Sequence, residues 1–549
     1  MSNIYKKLSL AAALVIGATP VYADTLLIKN VNGYTLDESG ELVTFKALAV
    51  DDGKISGLNP DTTVQYDRMV DGSGKTLLPG MIDAHGHLLG LGSNLLEVDL
   101  RDTDSVQQAV SKVAEYALAN SAGEWITGRG WNQELWSDRA YPRASDLDSK
   151  IDDRPVWLTR VDGHAGWANS RALKIAGIDK NTQSPKGGQI VKDAQGNPTG
   201  VLIDNAMGLL EKHIPATGNK QLSAQLDAAG QHLLANGVTA MHDAGIPHSV
   251  YDFYLRRAVE STLPVRIYAM ISATDSQLAT MLDNGPIRDA DDYLFINSVK
   301  AYGDGALGSR GAALLKPYSD APHQKGLMVT QPEDFPGLFN QVINAGFQLN
   351  FHAIGDRANR LALDQFEATF DEHGGQSLRN RIEHAQVVAP SDLARFSSLQ
   401  ILPSMQPTHA TSDKNMAEDR IGKARMEGAY AWQTLLKSGI AVPLGSDFPV
   451  ELANPFYGIH AAVTRQDRDN NPVKGWYAHE ALSIKQAFKG FTLDAAYAAH
   501  MEDSLGTLTP GKWADFIIVD QDIFSVKPEA LWKTSVEQTW VAGEKVFEK

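Results

Sequence analysis

Cysteine is absent from all 549 residues. Its absence excludes disulfides, thiolate metal ligands and a cysteine nucleophile, so any metal must be held by histidine, aspartate, glutamate or a modified lysine. Attachment to lipid through an N-terminal cysteine is excluded on the same ground. Basic residues are in deficit, with 50 Lys and Arg against 66 Asp and Glu and a formal net charge of -16. No basic stripe is present, which excludes a nucleic-acid binder and disfavours adhesion to anionic lipid. Long apolar runs are scarce too. The one near the N-terminus, Leu8 to Thr19, falls short of the roughly 20 residues of a membrane span. With Lys6 and Lys7 before it and Val21-Tyr22-Ala23 after it, residues 1–23 have the parts of a secretory signal peptide. The expected product is exported, to a periplasm or the medium, without a membrane span.

What is present falls into three textures. Short β-rich runs fill residues 24–76 and return in 506–549, as in TLLIKN, ADFIIVD and VEQTWVAGEKVF. Such strands cannot bury a face alone, so a β-sandwich built from both termini is expected. Between them, residues 77–505 alternate strand-like and helical segments. Eight strands with polar or glycine-rich exits can be counted: MIDAHGH, VTAMHDAG, VRIYAMI, INSVKAYGDG, FQLNFHAIGD, NRIEHAQ, QILPSMQP and AVPLGSDFP. Eight parallel strands close a (β/α)8 TIM barrel, whose active site lies at the strand C-terminal ends. The fold class is therefore α/β. The first two strands are far apart in sequence, which calls for an insertion at about 99–213 lying over the barrel mouth.

Chemistry-bearing residues sit at five of the eight strand ends. His85 and His87 end the first strand two residues apart, so both rings project to one side. Lys300 ends the fourth, His352 the fifth, His384 the sixth and Asp447 the eighth. Each alone reads as a satisfied polar residue; four imidazoles, a carboxylate and a lysine around one mouth point to metal chemistry. A lysine buried in such a mouth is costly unless paired or chemically altered.

The ordered set, with the phrases PGMIDAHGH, VKAYGDGALGSR, FHAIGD, RIEHAQ and GSDFPV, resembles the amidohydrolase superfamily. GRGWNQELW, RVDGHAGWANSRAL, GVTAMHDAG and GTLTPGKWADFIIVD are similar to the amidohydrolase 3 branch, which includes N-substituted formamide deformylase-like enzymes. The resemblance implies one or two divalent ions, zinc by default. His85, His87 and Asp447 would hold the more buried ion and His352 and His384 the second. Lys300 would bridge them as an Nζ-carboxylate formed with carbon dioxide. It further implies hydrolysis of a non-peptide C–N bond (amide, N-formyl or N-acyl) by a metal-activated hydroxide, with Asp447 as general acid-base. The chain has no G-x-S-x-G elbow for serine chemistry. A lactone or ester hydrolase or an isomerase fits the same scaffold, and a periplasmic binding protein is the non-catalytic alternative.

For contacts with the expected small amide substrate, Trp131 and His164 in the insertion, His409 beyond the seventh strand and Arg310 after the fourth are the candidates. His242 ends the second strand and is expected near the same mouth. A homo-oligomer is left open. N-terminal sequencing of exported material is expected to begin near Asp24; a mature chain that keeps Met1 and partitions into membranes would overturn the export reading.

Overall fold

The computed structural model describes residues 25–61, 63–120, 124–215 and 218–549. The signal peptide expected at 1–23 lies outside the described residues. Seven parallel strands form the barrel wall: Met81–Gly86, Val238–Ile246, Arg266–Ser272, Leu294–Tyr302, Gln348–Ala353, Arg381–His384 and Leu402–Ser404, adjacent in that order. The third and fifth are buried at every position, as parallel strands covered on both faces must be.

The eighth place in the wall is taken by residues 442–448, which bridge both neighbours without forming a ladder. Leu444 pairs with Met405 on one side and Phe448 with Gly86 on the other, both in parallel sense. The Asp447 N–H donates to the His85 carbonyl at 2.7 Å and the His87 N–H to the Phe448 carbonyl at 2.7 Å. A regular strand ends here because Asp447 has φ 61°, in the left-handed region where an extended run cannot continue. Gly445 is required by the same closure: a Cβ there would lie 2.6 Å from both Asp83 Oδ1 and His85 N. Asp83 straps the seam, accepting from the Ser446 N–H at 3.0 Å, the Ser446 hydroxyl at 2.6 Å and the His85 N–H at 3.1 Å.

Both termini feed a second sheet in the order Glu544–Glu548, Val536–Val541, Phe516–Val519, Thr76–Pro79, Thr25–Leu36, Leu42–Asp51, Lys54–Leu58, with Arg68–Asp71 also paired to Thr25–Leu36. The long strand Thr25–Leu36 pairs with Arg68–Asp71 through its first half and with Thr76–Pro79 through its second. A register shift between Lys29 and Gly33 separates the halves, so the sheet folds into two layers over Leu26, Ile28, Phe45, Leu48, Phe516 and Trp540. Residues 77–79, expected in the barrel, belong to this sheet: Thr76–Pro79 pairs antiparallel with Phe516–Val519. The chain passes through Gly80 directly into the first barrel strand.

Between the first two barrel strands lies a third sheet, ordered Gly188–Lys192, Pro198–Asp204, Ala165–Ala168, Val156–Arg160, Ile126–Trp131, Val98–Asp99. It has a core of its own around Leu100, Val113, Trp131, Trp136, Trp167 and Val201. It is fastened to the barrel loops by Tyr141 Oη donating to the Ser309 carbonyl at 3.2 Å and by the Arg420–Glu134 ion pair at 2.5 Å. No helix among the described residues is long and apolar enough to cross a membrane.

Because Asp83 satisfies three donors at the closing seam, Asp83→Ala is expected to lower unfolding free energy by about 3 kcal/mol in chemical denaturation, and Ser446→Ala by only about 1 kcal/mol. Equal effects of the two would show that Asp83 is not the strap.

Candidate metal centre

The polar side chains come from the C-terminal ends of the barrel strands, Lys300 and His352 from positions still paired in the ladder. His85 is fully buried and every polar atom it has is engaged. Its Nδ1 lies 2.5 Å from Glu383 Oε2, and its Nε2 lies 3.2 Å from Lys300 Nζ. Glu383 is itself held by Arg381, whose Nε donates to Glu383 Oε1 at 2.7 Å and whose Nη1 contacts His242 Nδ1 at 2.9 Å. With the carboxylate on Nδ1, the lone pair of His85 is on Nε2 and faces the mouth.

His87, half-exposed, places Nε2 3.2 Å from Asp447 Oδ1. The His384 ring is 4.9 Å from that of His85 and 4.6 Å from that of His352, centroid to centroid. Its Nδ1 is fixed by Gln406 Oε1 at 2.8 Å. His384 has φ 74°. It and Asp447 thus both occupy the left-handed region, a strain of about 1–3 kcal/mol each that clusters at functional sites. Donor atoms of His85, His384 and Asp447 lie within 4.8 Å of one another. His352 stands beside them, with Nε2 3.5 Å from Asp304 Oδ1.

The electrostatics fit a divalent cation. Burial pushes His85, His352 and His384 well below the ordinary imidazole value, so their lone pairs are free to ligate. Burial would raise the Asp447 carboxyl, but the hydrogen bond from His87 and the neighbouring His85 hold it well below the usual carboxylate range. His352 Nε2 is buried yet has no hydrogen-bond partner among the described residues; buried polar atoms without partners are rare, and a cation would satisfy it. Lys300, buried at 1% exposure, is lowered to about 8 by burial, against the pull of Glu383 and Asp447. That raises its share of neutral amine, the form that reacts with carbon dioxide.

A cavity of about 470 Å³ opens from this cluster and is lined by His352, His384, His409 and Asp447 from the barrel and by His164 from the insertion. His409 Nε2 is 3.6 Å from Asp447 Oδ2. His164 Nδ1 is 2.7 Å from Asp204 Oδ1; burial would lower this imidazole, and the Asp204 bond raises it. Two expected substrate contacts are corrected. Trp131 is wholly buried in the insertion's own core, its indole N–H donating to the Leu158 carbonyl at 2.8 Å, because its strand turns that face away from the mouth. Arg310 is clamped to Asp320 at 2.9 Å, and its loop carries it outside the cavity lining. His242 lies beneath the site on Arg381 instead of at the mouth. The Arg381-Glu383 support was missed by sequence reading, although two opposite charges at i and i+2 in a buried strand, RIEH, were a readable signal.

Comparison with known proteins places this geometry. A model described as the amidohydrolase family matches residues 68–547. The protein LONG AFTER FAR-RED 3 of Arabidopsis thaliana is 34% identical, over 95% of this chain and 91% of its own length. The N-substituted formamide deformylase of Arthrobacter pascens is 24% identical, over 95% of this chain and 98% of its own. Among solved structures, an uncharacterized metal-dependent hydrolase from Pyrococcus horikoshii, 27% identical, superposes with a TM-score of 0.75 over 92% of this chain and 99% of that one. The chain belongs to the amidohydrolase family.

Proposed function

We propose that this hydrolase is exported and cleaves a C–N bond other than a peptide bond in a small N-acyl or N-formyl compound. One or two divalent ions would be held by His85, His87, Lys300, His352, His384 and Asp447, with zinc suited to the imidazole and carboxylate donors. The observation that carries the reading is the convergence of His85, His384 and Asp447 donor atoms within 4.8 Å, where His384 and Asp447 line the cavity. The deformylase activity of the Arthrobacter relative supports the bond type. When bound, such an ion polarises an acyl carbonyl and lowers the pKa of water from about 15.7 to about 7.

The chain's own residues supply the rest. Asp447, kept ionised and set between His87 and His409, is placed to take a proton from the attacking water and return it to the leaving nitrogen. An amine leaves readily only once protonated. Lys300 would supply anionic oxygens to the ions once its neutral amine has added to carbon dioxide, forming an N–C bond and releasing one proton. Glu383 holds His85 in the tautomer that keeps Nε2 available. The insertion, fastened over the mouth, limits bulk water around the reacting groups.

Elemental analysis of the purified protein is expected to find roughly one to two divalent ions per chain, with chelation abolishing turnover of N-formyl and N-acyl amines and metal restoring it. Full activity without metal would end this reading. Lys300→Ala is expected to lose part of the metal and about 100-fold or more in rate. Added formate or acetate should partly restore both by supplying the missing oxygens. Lys300→Arg with wild-type metal content and rate would remove the carboxylated bridge.

A further inference from the structure

The cavity continues past His409 along two packed helices, Pro407–Asp413 and Pro455–Thr464. His409 and Asp413 stand four residues apart on the first, so they share a face and Asp413 lies about 6 Å further along the axis. Asp413 lines the cavity, as does His460 from the second helix. Since His409 is the residue that faces Asp447, this stretch of wall is remote from the reacting atoms.

The wall has an unusual polarity. Asp413 accepts from Gln386 Nε2 at 2.6 Å and Tyr430 Oη at 2.8 Å, both on Oδ2. Both donors are neutral; burial pushes this carboxyl up, and the nearby His409 and Arg160 offset only part of that rise without bonding to it. Glu451, on the same cavity, accepts from the Ser412 hydroxyl, its one side-chain hydrogen bond among the described residues, and is likewise pushed up by burial.

His460 is buried at 1% exposure. The Thr464 hydroxyl donates to the His460 carbonyl at 2.7 Å and accepts from the Gln466 N–H at 3.1 Å. Toward His460 Nδ1, 3.3 Å away, it can therefore act only as an acceptor. The ring proton is then on Nδ1, and Nε2 presents a lone pair with no hydrogen-bond partner among the described residues. Burial lowers this imidazole to about 4, so it is neutral in ordinary buffers. The lysine and arginines of the same lining are committed elsewhere: Lys414 to Asp467 at 2.7 Å, Arg101 to Asp99 at 2.6 Å, Arg160 to Asp162 and Gln133, and Arg468 over the Tyr457 ring at 4.7 Å.

We propose that the wall built by Asp413 and His460 binds a protonated amine of the substrate, at the end remote from the scissile bond. The proposal rests on the hydrolase reading above and names its substrate class: N-acyl amines that carry a second, basic nitrogen. An ammonium offers three N–H donors, enough for a charge-assisted bond to Asp413 and a further bond to His460 Nε2. An alkyl end would leave His460 Nε2 buried and unpaired, and a carboxylate end would face Asp413 and Glu451 with like charge.

The test compares mono-N-acetylated butane-1,4-diamine with its neutral isostere N-pentylacetamide on the full-length, metal-replete protein. Affinity is read by calorimetry, or as kcat/KM where the amide is cleaved. The cationic amide is expected to be favoured about tenfold or more. Asp413→Asn and His460→Phe should each narrow that ratio to about threefold or less, while His460→Gln, which keeps an acceptor oxygen, retains more of it. Equal affinity of the wild type for the two amides, binding of neither, or a ratio that survives in folded Asp413→Asn and His460→Phe would overturn the proposal. The wild-type comparison decides alone if the variants do not fold. Release of acetate is scored separately. A preference without release keeps the amine site and overturns the hydrolase reading, and release without preference does the reverse.

Discussion

The hydrogen bond between His85 and Glu383 fixes the arrangement around which the barrel mouth is built. It commits Nδ1, and the other polar atoms of the same residue are then committed by three different strands: the ring Nε2 to Lys300, the backbone N–H to Asp83 and the backbone carbonyl to Asp447 N–H. His85 thus ties the first, fourth, sixth and eighth barrel positions together at one point. Rotating the ring would break the Glu383 bond and leave that carboxylate with Arg381 alone. Taking a hydrogen-bond donor from a buried carboxylate costs about 1–3 kcal/mol or more, so the ring orientation is strongly held.

Such a cluster is expensive to bury. Lys300, Arg381, Glu383 and His85 are all nearly inaccessible, and opposite charges offset the desolvation only where the geometry is good. The Arg381-Glu383 contact at 2.5 Å, backed by His242, meets that condition. Lys300 does not, since its nearest polar neighbour is an imidazole nitrogen that burial keeps neutral. The added strain at His384 and Asp447 falls on residues that supply donor atoms to the same point. The frustration at these residues is of the kind a divalent ion would relieve, whereas Asp83 meets three donors at the seam.

The sequence made the barrel legible because parallel strands buried on both faces are short apolar runs, and their exits are marked by glycine, proline or charge. His85, His87, Lys300, His352, His384 and Asp447 were readable for the same reason: each is polar at the end of such a run. What could not be read is anything set by three-dimensional closure. The eighth strand reads as a strand in AVPLGSDFP but serves as two bridges, because the φ of Asp447 is fixed by the seam and not by local propensity. Residues 77–79 read as the start of the barrel run, yet their partner lies more than four hundred residues away in Phe516–Val519. Trp131 and His164 look alike in sequence, two large residues beside glycines. Strand alternation and a twist in the insertion bury the first and leave the second against His352 at 5.1 Å between rings.

The division of labour follows from which elements are free to vary. The barrel strands carry the donor set and cannot change without unpairing buried groups, so the chemistry is tied to the wall. The cavity beyond it is lined by the insertion and by the helices Pro407–Asp413 and Pro455–Thr464, which touch the donor set only at their near ends. His409 shows the junction: it faces Asp447 at one turn of its helix, and one turn later the same face presents Asp413. A change at the far turn alters what the cavity accepts without disturbing the ring stack of His409 on His384, 5.8 Å apart. Selectivity can therefore be retuned on these helices while the groups of the barrel wall stay fixed.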